Sequence, residues 1–360
     1  NTGLTGNQSF GSFLSTVVYE QHTPQTDGGI THDSFGNPYL RWQSTRQTNL
    51  GLDIELWKGR LTFSGNWYQK NTDPLIGVID MPPSTGVSDF AMNVGALNTH
   101  GIDAFIRFSP VFNPQRHAIW SIGATFFQHR SRYADLVAEL SALNEQMRIN
   151  QSLQQYINGY SPDDLWAVRS LGIEPVSGRE LFLTKGGQQT FQYDPADAVV
   201  VGNARPWADG IVNTVVHYKG FSFGAYFRFT LGRALLNDAL YEKVENINFD
   251  ELNANQDRRA LYDRWQQPGD YARFRSISLL EETPMSSRFI QRENLFSGES
   301  LAVGYAFTAD GSRFLQQLRV RQLRLMGYAN EFLRLSNLLA ERGTQYPFSK
   351  TFSFSLELTW

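Results

Sequence analysis

The groups in this 360-residue chain that could transfer protons, attack a carbonyl or hold a metal are 6 histidines, 35 acidic residues and 32 basic ones. Their spacing argues against an enzyme. His22, His32, His100, His117, His129 and His217 make no HExxH signature and no close pair. No GxSxG elbow, P-loop or GxGxxG occurs either. With no cysteine, a disulfide framework and Cys-based zinc or haem sites are excluded. Asp163-Asp164, Asp194 with Asp197, and Glu281-Glu282 could offer oxygen ligands to Ca²⁺, but none has EF-hand spacing, so they read as solvated loop faces. The chemistry left is recognition. Tyr160, Trp166, Trp207 and Trp265 fall between strand-like segments, and Arg107, Tyr226 and Arg228 fall within them. Such groups bind sugars by stacking and peptides by burial, or else pack loops and form an interfacial girdle.

The elements that position these residues show as alternation. Phe352, Phe354, Leu356, Leu358 and Trp360 fall on one face of a strand, and Ser353, Ser355, Glu357 and Thr359 on the other. Phe221, Phe223, Ala225, Phe227, Phe229 and Leu231 repeat the pattern against Ser222, Gly224, Tyr226, Arg228 and Thr230. Arg228 therefore calls for a wet lumen on its side of the sheet. The chain holds 26 Phe, 15 Tyr and 8 Trp, yet its mean hydropathy is −0.36, which suits a wall apolar outside and polar inside. No run of apolar residues is long enough for a spanning helix, and no signal peptide opens the chain. The net charge of −3 gives no basis for a nucleic-acid partner.

About ten strands are expected, near 8–20, 40–57, 60–72, 91–111, 117–134, 209–219, 221–236, 288–308, 316–330 and 350–360. Short turns at Lys58-Gly59, Asn113-Pro114-Gln115-Arg116, Lys219-Gly220 and Asp310-Gly311 alternate with long connections at 21–39, 73–90, 135–208, 237–287 and 331–349. Outer-membrane barrels join strands by short periplasmic turns and long external loops. A carboxy terminus in the periplasm places every long connection outside the cell. Leu136, Leu140, Leu143 and Met147 have helical spacing and predict a helix within 134–157, folded onto the barrel mouth. A soluble β-sandwich also alternates, but its connections need not alternate in length.

Several segments, in order, resemble the SusC/RagA-type TonB-dependent outer-membrane transporters of Bacteroidetes. They are Gly3-Leu4-Thr5-Gly6-Asn7-Gln8, Leu40-Arg41-Trp42-Gln43, Asn49-Leu50-Gly51-Leu52-Asp53, Asn93-Val94-Gly95, Asn98-Thr99-His100-Gly101-Ile102-Asp103, Gly178-Arg179-Glu180-Leu181-Phe182-Leu183, Val201-Gly202-Asn203-Ala204-Arg205-Pro206, Tyr218-Lys219-Gly220-Phe221, Trp265-Gln266-Gln267-Pro268-Gly269-Asp270 and Tyr346-Pro347. Gln43 stands where the family usually has Glu, and no Asp-Pro-Glu follows Asn330-Glu331-Phe332. The matched Gly, Asn and Pro residues read as turn and bulge chemistry.

The resemblance implies an all-β transmembrane barrel of about 22 antiparallel strands around a plug, with residues 1–360 forming the carboxy-terminal part of the wall. It implies active import of an oligomeric nutrient, glycan or oligopeptide, energised by TonB-ExbB-ExbD and aided by a SusD-like surface lipoprotein. Plug, signal peptide and earlier strands would precede Asn1, supplied by another segment or chain, because an open sheet edge in lipid is prohibitively costly. Trp360 takes the place of the family's closing aromatic, thought to be read by the barrel-assembly machinery. No cofactor is implied. The other reading is a passive porin or structural outer-membrane barrel.

Overall fold

The computed structural model describes residues 2–6, 18–22, 29–81, 83–87, 89–247, 253, 255–279, 281–311, 313–338 and 350–360. Its strands are β1 (Thr2–Gly6), β2 (Val18–His22), β3 (Gly29–Ser34), β4 (Ser44–Leu56), β5 (Leu61–Asp80), β6 (Asp89–Asn113), β7 (Ala118–Ala134), β8 (Asp164–Ala167), β9 (Arg169–Ile173), β10 (Glu180–Leu183), β11 (Gln189–Thr190), β12 (Val199–Asn203), β13 (Ala208–Tyr218), β14 (Phe221–Leu236), β15 (Ile290–Thr308), β16 (Gln322–Ser336) and β17 (Thr351–Thr359). Ten of them form one antiparallel sheet in the order β1-β4-β5-β6-β7-β13-β14-β15-β16-β17, each hydrogen-bonded to the next. The rest are small sheets in the connections.

Register carries the alternation across this wall. Asp53 faces Ser64, Ser64 faces Phe105 and Phe105 faces Thr125, so these side chains share the polar face. Ile54, Phe63, Ile106 and Ala124 line up likewise on the apolar face. That face is not covered by a second sheet: Leu50 is 66% exposed, Leu52 58%, Ile106 44% and Phe354 89%. A sandwich buries its apolar face; a membrane wall gives it to lipid. β6, at 25 residues, is far longer than the roughly 9–11 that cross a bilayer. The long strands therefore carry the connections well clear of the membrane.

The short turns fall at one end of the sheet. Trp57 and Lys58 adopt φ of 55° and 56°, and Gly59 83°, before Leu56 and Leu61 pair. Asn113 caps the turn Pro114–Arg116 by accepting the Arg116 N–H. At Lys219-Gly220 the hairpin closes on Tyr218 and Phe221, and a Cβ on Gly220 would stand 2.4 Å from the Ala306 carbonyl. Only glycine fits there.

Four expected boundaries differ. The first wall strand is Thr2–Gly6, paired with β4, whereas Val18–His22 pairs with β3; residues 8–17 of the expected strand lie outside the described residues. The connection expected at 73–90 shrinks to 81–88, because a bulge between Thr72 and Leu75 absorbs Pro74 and both strands continue past it. The turn expected at Asp310-Gly311 becomes the longer connection 309–321 with a helical turn over Arg313–Gln317. There Leu315 and Val320 are each 3% exposed, so they fill the turn's own core and not strand positions. Finally, β16 runs on to Ser336 through a bulge opposite Gly298 and Ser300, shortening the last long connection, whose residues 339–349 are not described.

The expected helix is α1 (Leu140–Ile149), with Leu140 buried and Leu143 and Met147 half-buried. Asn144 shares the buried side: its amide donates to the Tyr156 carbonyl (2.6 Å) and accepts the Tyr156 N–H (2.7 Å). Leu136 precedes the helix, its N–H held by Asn158 at 3.0 Å.

Candidate functional site

Opposite the short turns, the connections 135–207 and 237–289 fold into each other as one cap. β8 pairs with β12, and β10 with β9 and β11. The connections are then joined by Ser287 N–H to the Val168 carbonyl (2.9 Å), Ser170 N–H to the Ser287 hydroxyl (2.9 Å) and Gly269 N–H to the Pro175 carbonyl (2.8 Å). One apolar cluster gathers Leu240, Val244, Ala260, Phe274 and Phe289; another gathers Val168, Phe182 and Ala198. Glycine is needed at position 178, where φ is +68° and a Cβ would lie 2.5 Å from the Trp265 ring.

Between these clusters runs a buried ionic network. The Glu245 side chain is 0% exposed and Glu180 4%. Arg288 donates to Glu245 at 3.0–3.1 Å and to Glu180 at 2.9 Å, bridging residues far apart in the chain. The Thr283 hydroxyl donates to Glu245 (2.9 Å) and that of Ser286 to Glu180 (2.6 Å). Arg264 gives its protons to the carbonyls of Ala260, Arg275, Val244 and Glu245. Arg275 reaches Glu245 only at 3.6 Å. Burial holds Arg264 and Arg275 below the ordinary guanidinium value, with Glu245 opposing the shift in both. Burial likewise pushes the Tyr193 phenol up to about 12, and its O–H donates to the Met285 carbonyl at 3.2 Å.

On the wall, Arg228 pairs with Glu299 and lies 3.7 Å from Asp209, which also accepts the Thr230 hydroxyl at 2.9 Å. Tyr226, across from Asn213, is 41% exposed on the same polar face. Arg107 is exposed there too and donates to Thr62 at 3.3 Å. The three strand residues thus share the polar face, Tyr226 and Arg228 on β14 and Arg107 on β6.

The four loop aromatics diverge. Tyr160 (43% exposed) packs on Trp166 with centroids 4.9 Å apart, but Trp166 itself is only 7% exposed and its indole N–H has no partner among the described residues. Trp265 is half-buried, donates to the Pro175 carbonyl at 2.7 Å and packs the cap. Trp207, 55% exposed, lies over Gly232 at the junction of wall and cap.

The acidic candidates mostly serve the loops' own structure. Asp163 pairs with Arg205 (2.8 Å), Asp164 accepts from Asn203 (2.7 Å) and Ser161 N–H (2.8 Å), Asp194 caps the turn Pro195–Asp197, and Asp197 accepts the Lys185 N–H (2.9 Å). Glu281 and Glu282 line a cleft. Among the described residues no cluster of three or more His, Asp or Glu is arranged for a metal. The motif residues behave as turn chemistry: Asn93 accepts the Arg41 N–H and donates to the Arg41 carbonyl, and Gln43 accepts the Ile76 N–H.

Sequence reasoning missed the ionic network. Glu180 and Arg288 are 108 residues apart, and Glu245 and Arg288 43. The sole sequence signal was Glu180 within the Gly178–Leu183 motif.

A one-sidedly apolar antiparallel wall with short turns at one end and an interlocked cap at the other is the construction of a transmembrane β-barrel. The chain belongs to the TonB dependent receptor-like, beta-barrel family, whose model matches residues 4–232. Members of this family are outer-membrane β-barrels. It is similar to TonB-dependent receptor P39 of Formosa agariphila, 24% identical over 85% of this chain and 33% of that protein. It is similar also to TonB-dependent receptor SusC of Bacteroides thetaiotaomicron, 22% identical over 85% of this chain and 31% of SusC. The chain thus spans about a third of the length of these curated relatives. In fold it matches the structure of the RagAB peptide transporter with a TM-score of 0.83 and 18% identity, over 99% of this chain and 40% of that one.

Proposed function

We propose that this chain forms wall and cap of an outer-membrane importer that takes up an oligomeric nutrient, glycan or oligopeptide. The observation that carries this reading is the joining of a polar-lined wall to a rigid cap at one end only. A general diffusion pore needs the wall; it does not need two long connections locked by buried charges into a shaped entrance. The names of the relatives support coupling to TonB, and the likeness to SusC and RagAB supports a SusD-like lid lipoprotein above the cap.

In the complete product, further strands pair with the free edges of β1 and β17, since unpaired backbone in lipid is prohibitive. A plug closes the lumen and passes the pull of TonB-ExbB-ExbD to it. The cap faces outward and the end of β17 with Trp360 faces the periplasm. No step calls for catalysis. Ligand contacts fall to the exposed groups Tyr160, Trp207, Arg107, Tyr226 and Arg228, while Trp166 and Trp265 hold the cap in shape.

The test is uptake of labelled oligomers in otherwise isogenic cells with and without tonB. Loss of uptake with tonB supports the importer. Undiminished uptake makes the barrel a passive porin.

A further inference from the structure

Within the buried network of the cap, the guanidinium groups in contact outnumber the carboxylates. Arg264, Arg275 and Arg288 supply three guanidinium charges, and Glu180 and Glu245 two carboxylates. Arg288 bridges both carboxylates, and Arg264 gives its protons to four main-chain carbonyls. Arg275 is the odd member. Its side chain is 12% exposed, donates no hydrogen bond within the described structure and has one ion-pair contact, Glu245 at 3.6 Å, with Glu180 and Glu281 acting on it from farther away. A guanidinium carries five donors and is costly to bury unsatisfied.

Arg275 borders a cleft of about 440 Å³ formed where the two long connections meet. Arg179 borders the same cleft: its guanidinium lies 5.2 Å from the centroid of Phe191 and likewise donates no hydrogen bond. Phe191 and Tyr193 supply apolar wall, and Glu281 and Glu282, neither of them in an ion pair, supply negative charge. The volume suits a few residues of an oligomer and not a single ion.

We propose that this cleft binds the free carboxylate end of an oligopeptide, with Arg275 and Arg179 donating to the carboxylate and Phe191 and Tyr193 packing the side chain next to it. Two forked donors match a carboxylate bidentately, and the incoming charge completes the buried network. The acidic pair decides the ligand class. A polyuronate would bring repeated negative charge against Glu281 and Glu282, whereas a zwitterionic peptide offers an ammonium or basic side chain to them. This deepens the importer reading by naming the ligand group read at the cap.

Binding is measured on the complete transporter, purified in detergent without TonB, so that its outcome is independent of the tonB uptake test. The probes are a mixed-sequence pool of short peptides with free carboxyl ends, the same pool amidated, and an oligogalacturonate ladder. Amidation is expected to weaken binding about ten- to a hundredfold, the range for one lost charge-assisted contact. Arg179→Gln should weaken the free-acid pool comparably and leave the amidated pool unchanged. Arg275→Gln should do the same; because it touches the network it is the second variant, and Arg179, exposed and unbonded, keeps the test open if Arg275→Gln fails to fold. Equal affinity for both peptide pools, or no change with Arg179→Gln, overturns the site. Oligogalacturonate bound through Arg179 in place of peptides overturns the ligand class.

Discussion

Wall and cap of this chain handle polar groups in opposite ways. In the wall, backbone groups are satisfied by the neighbouring strand everywhere but at the bulges, and the side chains have only to sort onto a polar or an apolar face. Its Arg228–Glu299 pair is half-exposed, at 39% and 38%, a setting in which such pairs contribute little. Glu293, at the cap end of β15, is the buried exception, 3% exposed between Arg233 and Arg334. In the cap, strands are short, side chains supply the bonds, and Glu180, 4% exposed, ties one connection to the other through Arg288 and Ser286. The wall is a repeating structure tolerant of exchange on its polar face. The cap depends on particular residues.

The largest expected effect falls on the cap. Glu245→Gln leaves Arg288 and Arg275 without their shared carboxylate and should cost about 3–5 kcal/mol of cap stability, the range for breaking a buried pair. Hydrogen exchange should then rise across 237–289 and 165–183 while β4 to β7 stay protected; equal loosening of both regions would erase the distinction between them. In the wall, Ile122→Arg on the apolar face should cost about 2–4 kcal/mol, and Ser121→Arg, its neighbour on the polar face, close to none. Reversible unfolding into vesicles reads both, and similar costs would mean the faces are misassigned. Gly220→Ala drives a methyl against the Ala306 carbonyl and should cost about 1–3 kcal/mol, seen as a lower yield of folded barrel.

The smallest effect concerns pH. Glu174 accepts the Ser177 hydroxyl and the N–H groups of Val176 and Ser177, which hold its carboxyl below its ordinary value. A lowered folded value means the turn gains stability above the unfolded value and loses it as pH falls through the folded one. Protection of the Val176 and Ser177 amides, relative to their intrinsic exchange, should therefore fall on acidification in the native protein and stay level in Glu174→Gln.

Much of the wall was legible because alternation is a local code. Phe221 to Leu231 and Phe352 to Trp360 sort their side chains without reference to any other strand, and Lys219-Gly220 announces its hairpin. Where the reading slipped, a tertiary term outweighed a local one. Pro74 looked like a break but sits in a bulge, and Val320 fell within an expected strand but is buried in a turn. Among the loop aromatics, nothing local separates exposed Trp207 from buried Trp166.

By itself the sequence determined the alternating faces and the tight turns at Lys58-Gly59, Pro114–Arg116 and Lys219-Gly220, because each depends on residues within a few positions of one another. Only the tertiary structure decided which side chains meet across the cap: Glu180 with Arg288, Glu245 with Arg275, and the cleft that Arg179 and Arg275 share. Those contacts span long stretches of chain whose course is set by packing and by the need to pair buried charge, and no local pattern encodes either.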